Sequence, residues 1–353
     1  MFSKHSSFTI YQEQPFNGGP PVAALPEQFI TPEELFFVRS HGNVPQIDAA
    51  TYRLEVDGLV ERALSLRLVD LAQFTRAAQT ATLQCAGNRR DELLALGPIP
   101  GELPWSADAI GNARWGGVRL VDVLRAAGVV SGAAHVHFTG LDYVEHDDEG
   151  FSFGASIPLQ RAIAQDVLLA DTMNDLPLPS EHGAPLRVVV PGTIGARSVK
   201  WLGRITLAAE PSPNYFQQRA YRLAREAAQE AAMLDTVFLS AAICTPRSGA
   251  QLPAGMLAVT GYAIGHGATP IVAVEVSCDN GSNWQCAELL DTPVTGAWMR
   301  WQIALDLGPG SYELVARARD ADGNTQPADL GATWNGKGYM NNAWHRVALH
   351  IRP

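Results

Sequence analysis

The 353-residue chain has only four cysteines and no Cys-x-x-Cys pair. That scarcity argues against structural zinc, an iron-sulfur cluster and a covalently attached c-type haem. No apolar run approaches the roughly 20 residues that a membrane span needs. The start, Met1-Phe2-Ser3-Lys4-His5-Ser6-Ser7, lacks an apolar signal core or twin arginines. We therefore expect a cytoplasmic protein with no membrane partner, or a periplasmic one if a signal peptide is missing from this sequence. Cations are also in deficit, 26 Lys and Arg against 36 Asp and Glu, for a net charge of -10. Nucleic acid and anionic membranes need clustered Lys and Arg, so any anion site must be a local basic pocket.

With 46% hydrophobic and 18% charged residues, the composition is that of a globular chain long enough for two domains. Residues 1–30, rich in Pro, Gly and Gln, read as an irregular arm lying across the surface. Over 31–208 short strands alternate with short helices. Residues 53–60 predict a strand ending in a turn, 121–128 a helix stopped by Gly128, and 186–190 a buried strand running into a Pro-Gly loop. Pro211-Ser212-Pro213 breaks the pattern, and the alanine-rich stretch 219–233 predicts a helix within a linker over 209–235. From 236 to 353 the strand-like runs 271–277, 298–305 and 312–318 are separated by Gly, Asn and Asp turns, which predicts an antiparallel sandwich of immunoglobulin type. The fold class is thus α+β: a mixed α+β domain followed by an all-β sandwich.

Cys278 and Cys286 flank the turn signal Asp279-Asn280-Gly281-Ser282 and could face each other across two strands, although reduced thiols are expected in a cytoplasmic protein. Two acidic runs are set aside. His146-Asp147-Asp148-Glu149 reads as a solvated loop, and Asp320-Ala321-Asp322-Gly323-Asn324 as a turn, because a calcium loop would need Glu where Gly331 stands.

The most informative residue is Cys85, in Leu83-Gln84-Cys85-Ala86-Gly87-Asn88-Arg89-Arg90. Two nearby arginines favour a thiolate, and two guanidinium forks suit an oxyanion. A thiolate could bind a soft metal or act as a nucleophile beside a histidine such as His135, His137 or His182. Taken alone, a cysteine is more often a buried structural residue.

This segment closely resembles the molybdenum-ligating segment of the sulfite oxidase family, which includes the molybdenum domain of assimilatory nitrate reductases. Further matches follow in the same order: Phe36-Phe37-Val38-Arg39-Ser40-His41, Gly154-Ala155-Ser156-Ile157-Pro158, His182-Gly183-Ala184-Pro185-Leu186-Arg187, Gly195-Ala196-Arg197-Ser198-Val199-Lys200-Trp201 and Asn342-Ala343-Trp344-His345-Arg346. The resemblance covers the chain from about residue 25 onward. It implies a molybdenum-molybdopterin cofactor, with Cys85 as the thiolate ligand to the metal. It implies further that Phe36, Arg39, His41, Asp142, His182, Arg187, Ser198 and Lys200 hold the pterin and its phosphate.

The same resemblance implies an oxyanion pocket built from Arg39, Arg90, Trp105 and Tyr221, with Trp105 matched across a one-residue gap. Lys337, in Trp334-Asn335-Gly336-Lys337-Gly338, stands where the family has a third arginine. It keeps the charge but loses the bidentate fork. Related nitrate reductases tend to be uncharged there, so the lysine tilts the expectation toward sulfite. The implied activity is oxidation of sulfite to sulfate, in a homodimer joined through the sandwich domain. No segment resembles a haem domain, so electrons are expected to pass to a separate acceptor such as a soluble cytochrome. The alternatives are a nitrate or other oxyanion reductase on the same scaffold, or a cofactor-free dimeric binding module.

Overall fold

The computed structural model describes residues 3–146, 149–223 and 231–353. In the N-terminal half, a mixed sheet runs in the order Gly154–Pro158, His135–Gly140, Leu202–Ala208, Leu54–Gly58, Leu64–Leu66, with only the Leu202–Ala208 and Leu54–Gly58 pair parallel. A second, antiparallel sheet places Leu176–Pro177, Leu168–Met173, Ile110–Arg119 and Arg76–Gln84 side by side, and Arg187–Val189 also pairs with Leu168–Met173. Leu54, Val56, Phe138 and Ile205 of the first sheet pack against Leu169 and Val188 of the second. The helix Leu120–Ala127 buries Leu120, Val123 and Leu124 in the same core. It stops at Gly128, whose φ of 72° is available to glycine without strain. The expected strands near 53–60 and 186–190 and the helix near 121–128 are all present.

The C-terminal half is a sandwich of two sheets over one core. One sheet holds Ser240–Thr245, Gly255–Ile264, Met299–Leu307 and Glu288–Leu289; the other holds Ala250–Pro253, His345–Arg352, Gly310–Asp320, Ile271–Ser277 and Gln285–Cys286. Strand His345–Arg352 sends Val347, Leu349 and Ile351 inward and the residues between them outward, the alternation a half-buried strand requires. The expected strands are again found. Cys286 stands opposite Glu275, not Cys278, and both thiols are free. Asp320 caps its own turn by accepting from the backbone nitrogens of Asp322 and Asn324.

Two expectations need correction. The first 30 residues are not wholly irregular: Thr9–Gln12 and Asn17–Gly19 form a hairpin, a 3-10 turn spans Val22–Glu27, and Asn17 and Leu25 are buried. The predicted 219–233 helix is also absent from the described part of that stretch. A short π-helical turn, Phe216–Ala220, ends at Tyr221, after which Arg222–Leu223 pairs with Ala232–Met233. Residues 224–230 of that stretch, and 147–148 of the acidic run, lie outside the described residues.

Candidate active site

Strand Arg76–Gln84 ends at Cys85, where the chain turns: Asn88 N donates to the Cys85 carbonyl at 3.0 Å, and Gly87 N lies 3.4 Å from the sulfur. Asn88 holds the turn from both ends of its amide, donating to Tyr262 Oη and accepting from Ala109 N. Cys85 lines a cavity shared with Phe36, Arg39, His41, Asp142, His182, Arg187, Ser198, Lys200 and Tyr221. All nine residues expected to hold the cofactor therefore come together, although they span more than 160 positions of sequence.

One end of the cavity is crowded with buried cations. Arg187 donates to the carbonyls of His182 and Ser198, Lys200 donates to Ser40 Oγ and the Glu181 carbonyl, and Ser198 Oγ accepts from Val190 N. Burial pushes Arg187 down to about 9. Lys200 is held well below its usual value by burial and then by Arg187, and His182 by burial and by Lys4, Lys200 and Arg187. Cations destabilised by burial and by one another regain stability from a dianion. Elsewhere on the wall, Asp142 is buried with one carboxylate oxygen unpartnered, and burial raises it to about 6. An orphaned acceptor or acid of this kind fits a polar heterocycle. Phe36 closes that wall, packing edge-on against Trp115 and His182. It approaches Gly111 so closely that a Cβ there would lie 2.7 Å from the ring. The residues present thus fit a phosphorylated pterin.

On the other side, Arg39 Nη2 lies 3.1 Å from His41 Nδ1, and His41 Nε2 lies 2.8 Å from Tyr221 Oη. A guanidinium only donates, so Nδ1 accepts and Nε2–H donates to the phenol oxygen. The Tyr221 proton is then free to point to another acceptor. Burial pushes the Tyr221 hydroxyl upward, so it stays protonated near neutral pH. Tyr221 stacks on Tyr339, with centroids 5.3 Å apart.

The arginines after Cys85 do not both face the thiol. Arg89, at φ 65°, is wholly buried; it pairs with Glu92 and donates to Ser240 Oγ and to the carbonyls of Ala241 and Ala343, joining the two halves. Arg90 folds back over Gly87, lies 5.3 Å from the Tyr339 ring centroid and pairs with Glu102. Lys337 also pairs with Glu102, so its ammonium is committed to a carboxylate and half-exposed. Trp105 is fully buried, in the same apolar cluster as Cys85, and its Nε1 has no partner. Arg90, Lys337 and Trp105 thus lie around the site, outside the cavity lining itself.

Sequence reasoning missed four residues here. Lys4 Nζ is 2.8 Å from His182 Nε2, donates to the Glu33 carbonyl and pairs with Glu181 at 3.5 Å. Asn17 accepts from Ser40 N and from Arg39, fixing these two residues to the N-terminal hairpin. Glu181 and Glu102 complete the set. Only Glu181, which immediately precedes the His182 motif, carried a local signal.

Known proteins resemble this chain along almost its whole length. Residues 41–216 match the oxidoreductase molybdopterin binding domain, and residues 232–352 the Mo-co oxidoreductase dimerisation domain. Sulfite oxidase of Gallus gallus is 42% identical over 361 residues, covering 97% of this chain and 78% of that protein. A nitrate reductase of Hordeum vulgare is 36% identical over 97% of this chain, but only 42% of that protein is covered. Among solved structures, the sulfane dehydrogenase SoxCD of Paracoccus pantotrophus superposes with a TM-score of 0.83 at 27% identity, over 97% of this chain and 88% of that one. The chain belongs to the sulfite oxidase family of molybdopterin-binding oxidoreductases.

Proposed function

We propose that the chain oxidises sulfite to sulfate and passes two electrons to an external acceptor. The observation that carries this reading is the convergence of Cys85, Arg39 and Tyr221 on one cavity whose far end is lined by buried cations. Bound there, a pterin-held molybdenum supplies oxygen-atom transfer coupled to a two-electron redox change. Cys85 offers the soft sulfur donor such a metal favours. Arg187, Lys200, His182 and Ser198 take the phosphate, while Phe36, His41 and Asp142 take the heterocycle.

For the substrate, Arg39 supplies fixed positive charge at the cavity, with Arg90, Lys337 and Trp105 outside its lining. Tyr221, already accepting from His41, donates its proton to an oxyanion oxygen and holds it as charge develops there. The aromatic wall of Phe153, Phe216 and Tyr221 around His41 keeps bulk water from that relay.

The domain plan that accompanies this reading is a catalytic domain over 31–208, a linker over 209–235 that brings in Tyr221, and a dimerising sandwich of immunoglobulin type over 236–353. The match to a dimerisation domain supports a homodimer. A small soluble cytochrome is the acceptor class that suits a one-electron exit. Among the described residues no helix is long and apolar enough to cross a membrane.

A nitrate reductase reading is favoured by one feature, the commitment of the Lys337 ammonium to Glu102. Two assays separate the readings, sulfite with ferricyanide and nitrate with a reduced viologen, run on a sample whose molybdenum and pterin content is known. About one molybdenum and one pterin per chain with sulfite turnover is the expected result. Cofactor with nitrate turnover alone would replace the reading, and absence of cofactor from a host able to make it would leave a binding module.

A further inference from the structure

We propose that Glu102 is a built-in competitor of the substrate anion: its carboxylate occupies two cations beside the site, Arg90 and Lys337, and must yield them when the oxyanion arrives. This rests on the reading above. Each Glu102 oxygen takes one cation, with Oε2 3.2 Å from Arg90 Nη2 and Oε1 3.1 Å from Lys337 Nζ. The arrangement is that of a bound oxyanion, with a side chain in the anion's place.

Arg90 does not need Glu102 to stay where it is. Its Nε donates to the Lys337 carbonyl at 2.8 Å and its Nη1 to the Leu103 carbonyl at 2.7 Å, and its side chain is almost fully buried. Nη2 is the guanidinium nitrogen that Glu102 occupies. The cluster also abuts the reactive wall, since the guanidinium lies over Tyr339, which stacks on Tyr221. Glu102 is among the charges acting on both phenols. Two cations and one carboxylate leave one net positive charge for a dianion, where two would stand without Glu102. The carboxylate keeps some contact with water, so it can be rehydrated on release.

Glu102 therefore weakens anion binding and hastens product release. It also gives a reason for Lys337 in place of an arginine: a single-point ammonium is easier to share between two anions than a bidentate fork.

The test compares wild-type holoenzyme with Glu102→Gln and Glu102→Ala by two readouts. The first is the KM and kcat for sulfite with ferricyanide; the second is inorganic sulfate binding by calorimetry, which needs no turnover. The expected result for both variants is a roughly two- to five-fold lower KM, the effect of about one partly exposed charge pair. Sulfate should bind more tightly by a similar factor, kcat should be unchanged or lower, and salt should weaken binding more steeply. If Glu102 merely props Arg90, both variants raise KM and weaken sulfate binding, and the proposal is overturned; unchanged values overturn it equally. Absence of sulfite turnover in the wild type would count against the proposed activity, while the sulfate titration would still judge Glu102.

Discussion

Lys4 reaches the cavity from the far end of the sequence, and its ammonium is buried against His182, Glu181 and the Glu33 carbonyl. Burial lowers it, with Glu181 acting in opposition. Because an ammonium only donates, Lys4 fixes His182 as a neutral acceptor at Nε2. Lys4→Ala should therefore loosen the phosphate end, and loss of pterin on prolonged dilution, followed by its fluorescence, should be roughly five-fold faster, the effect of about one hydrogen bond. Retention equal to wild type would show that Lys4 only seals the surface. The contrast with Cys85 explains what a sequence reveals at this scale. Cys85, Arg39, His182 and Lys200 sit in contiguous motifs whose chemistry is local. Lys4, Asn17 and Glu102 act through contacts between distant segments, which no local pattern records. Adjacency also misled: Arg89 follows Cys85 by four positions, yet its positive φ turns it into the domain junction.

Elements with strong periodicity, such as Leu120–Ala127 and Ile271–Ser277, formed where the pattern placed them. The alanine-rich linker did not form a helix in its described part, because the π-helical turn must end where Tyr221 enters the cavity, and tertiary contact outweighs propensity. The N-terminal hairpin was illegible because its pairing depends on what it packs against. Tyr11 in its first strand donates to Asp108 at 2.8 Å, and a Cβ on Gly19 in its second would lie 2.5 Å from the same carboxylate. Burial raises Asp108 to about 6 against the pull of Tyr11 and Ser106, and its other oxygen has no partner.

The sign of the consequence follows from linkage. Asp108 binds a proton in the folded protein that the unfolded chain has already released, so its contribution to stability falls as pH rises from about 4 to about 6. Asp108→Asn keeps an acceptor for Tyr11 without that titration. The variant should gain on wild type as pH rises across this window, by up to about 3 kcal/mol from a shift of about two units. Urea unfolding at pH 4.5 and pH 7.5 captures about 2 kcal/mol of that gain; a pH-independent difference would contradict it.

The whole molecule places its site at the junction of its two halves. One apolar cluster contains Ala86, Phe216 and Tyr221 from the first half and linker together with Cys244, Tyr262 and Tyr339 from the second. Arg89, buried with its donors on Ser240, Ala241 and Ala343, locks the same junction. The start of the C-terminal sandwich strands was legible because the texture of the sequence changes near residue 236. The depth of the junction was not, since it arises from packing between halves. We propose Cys85 as the protein's ligand to a molybdenum that oxidises sulfite. The most direct test is sulfite-dependent ferricyanide reduction by Cys85→Ser beside wild type, each loaded with cofactor and checked for folding by circular dichroism. The account predicts turnover in wild type and none in the folded variant; substantial activity remaining in Cys85→Ser would contradict it.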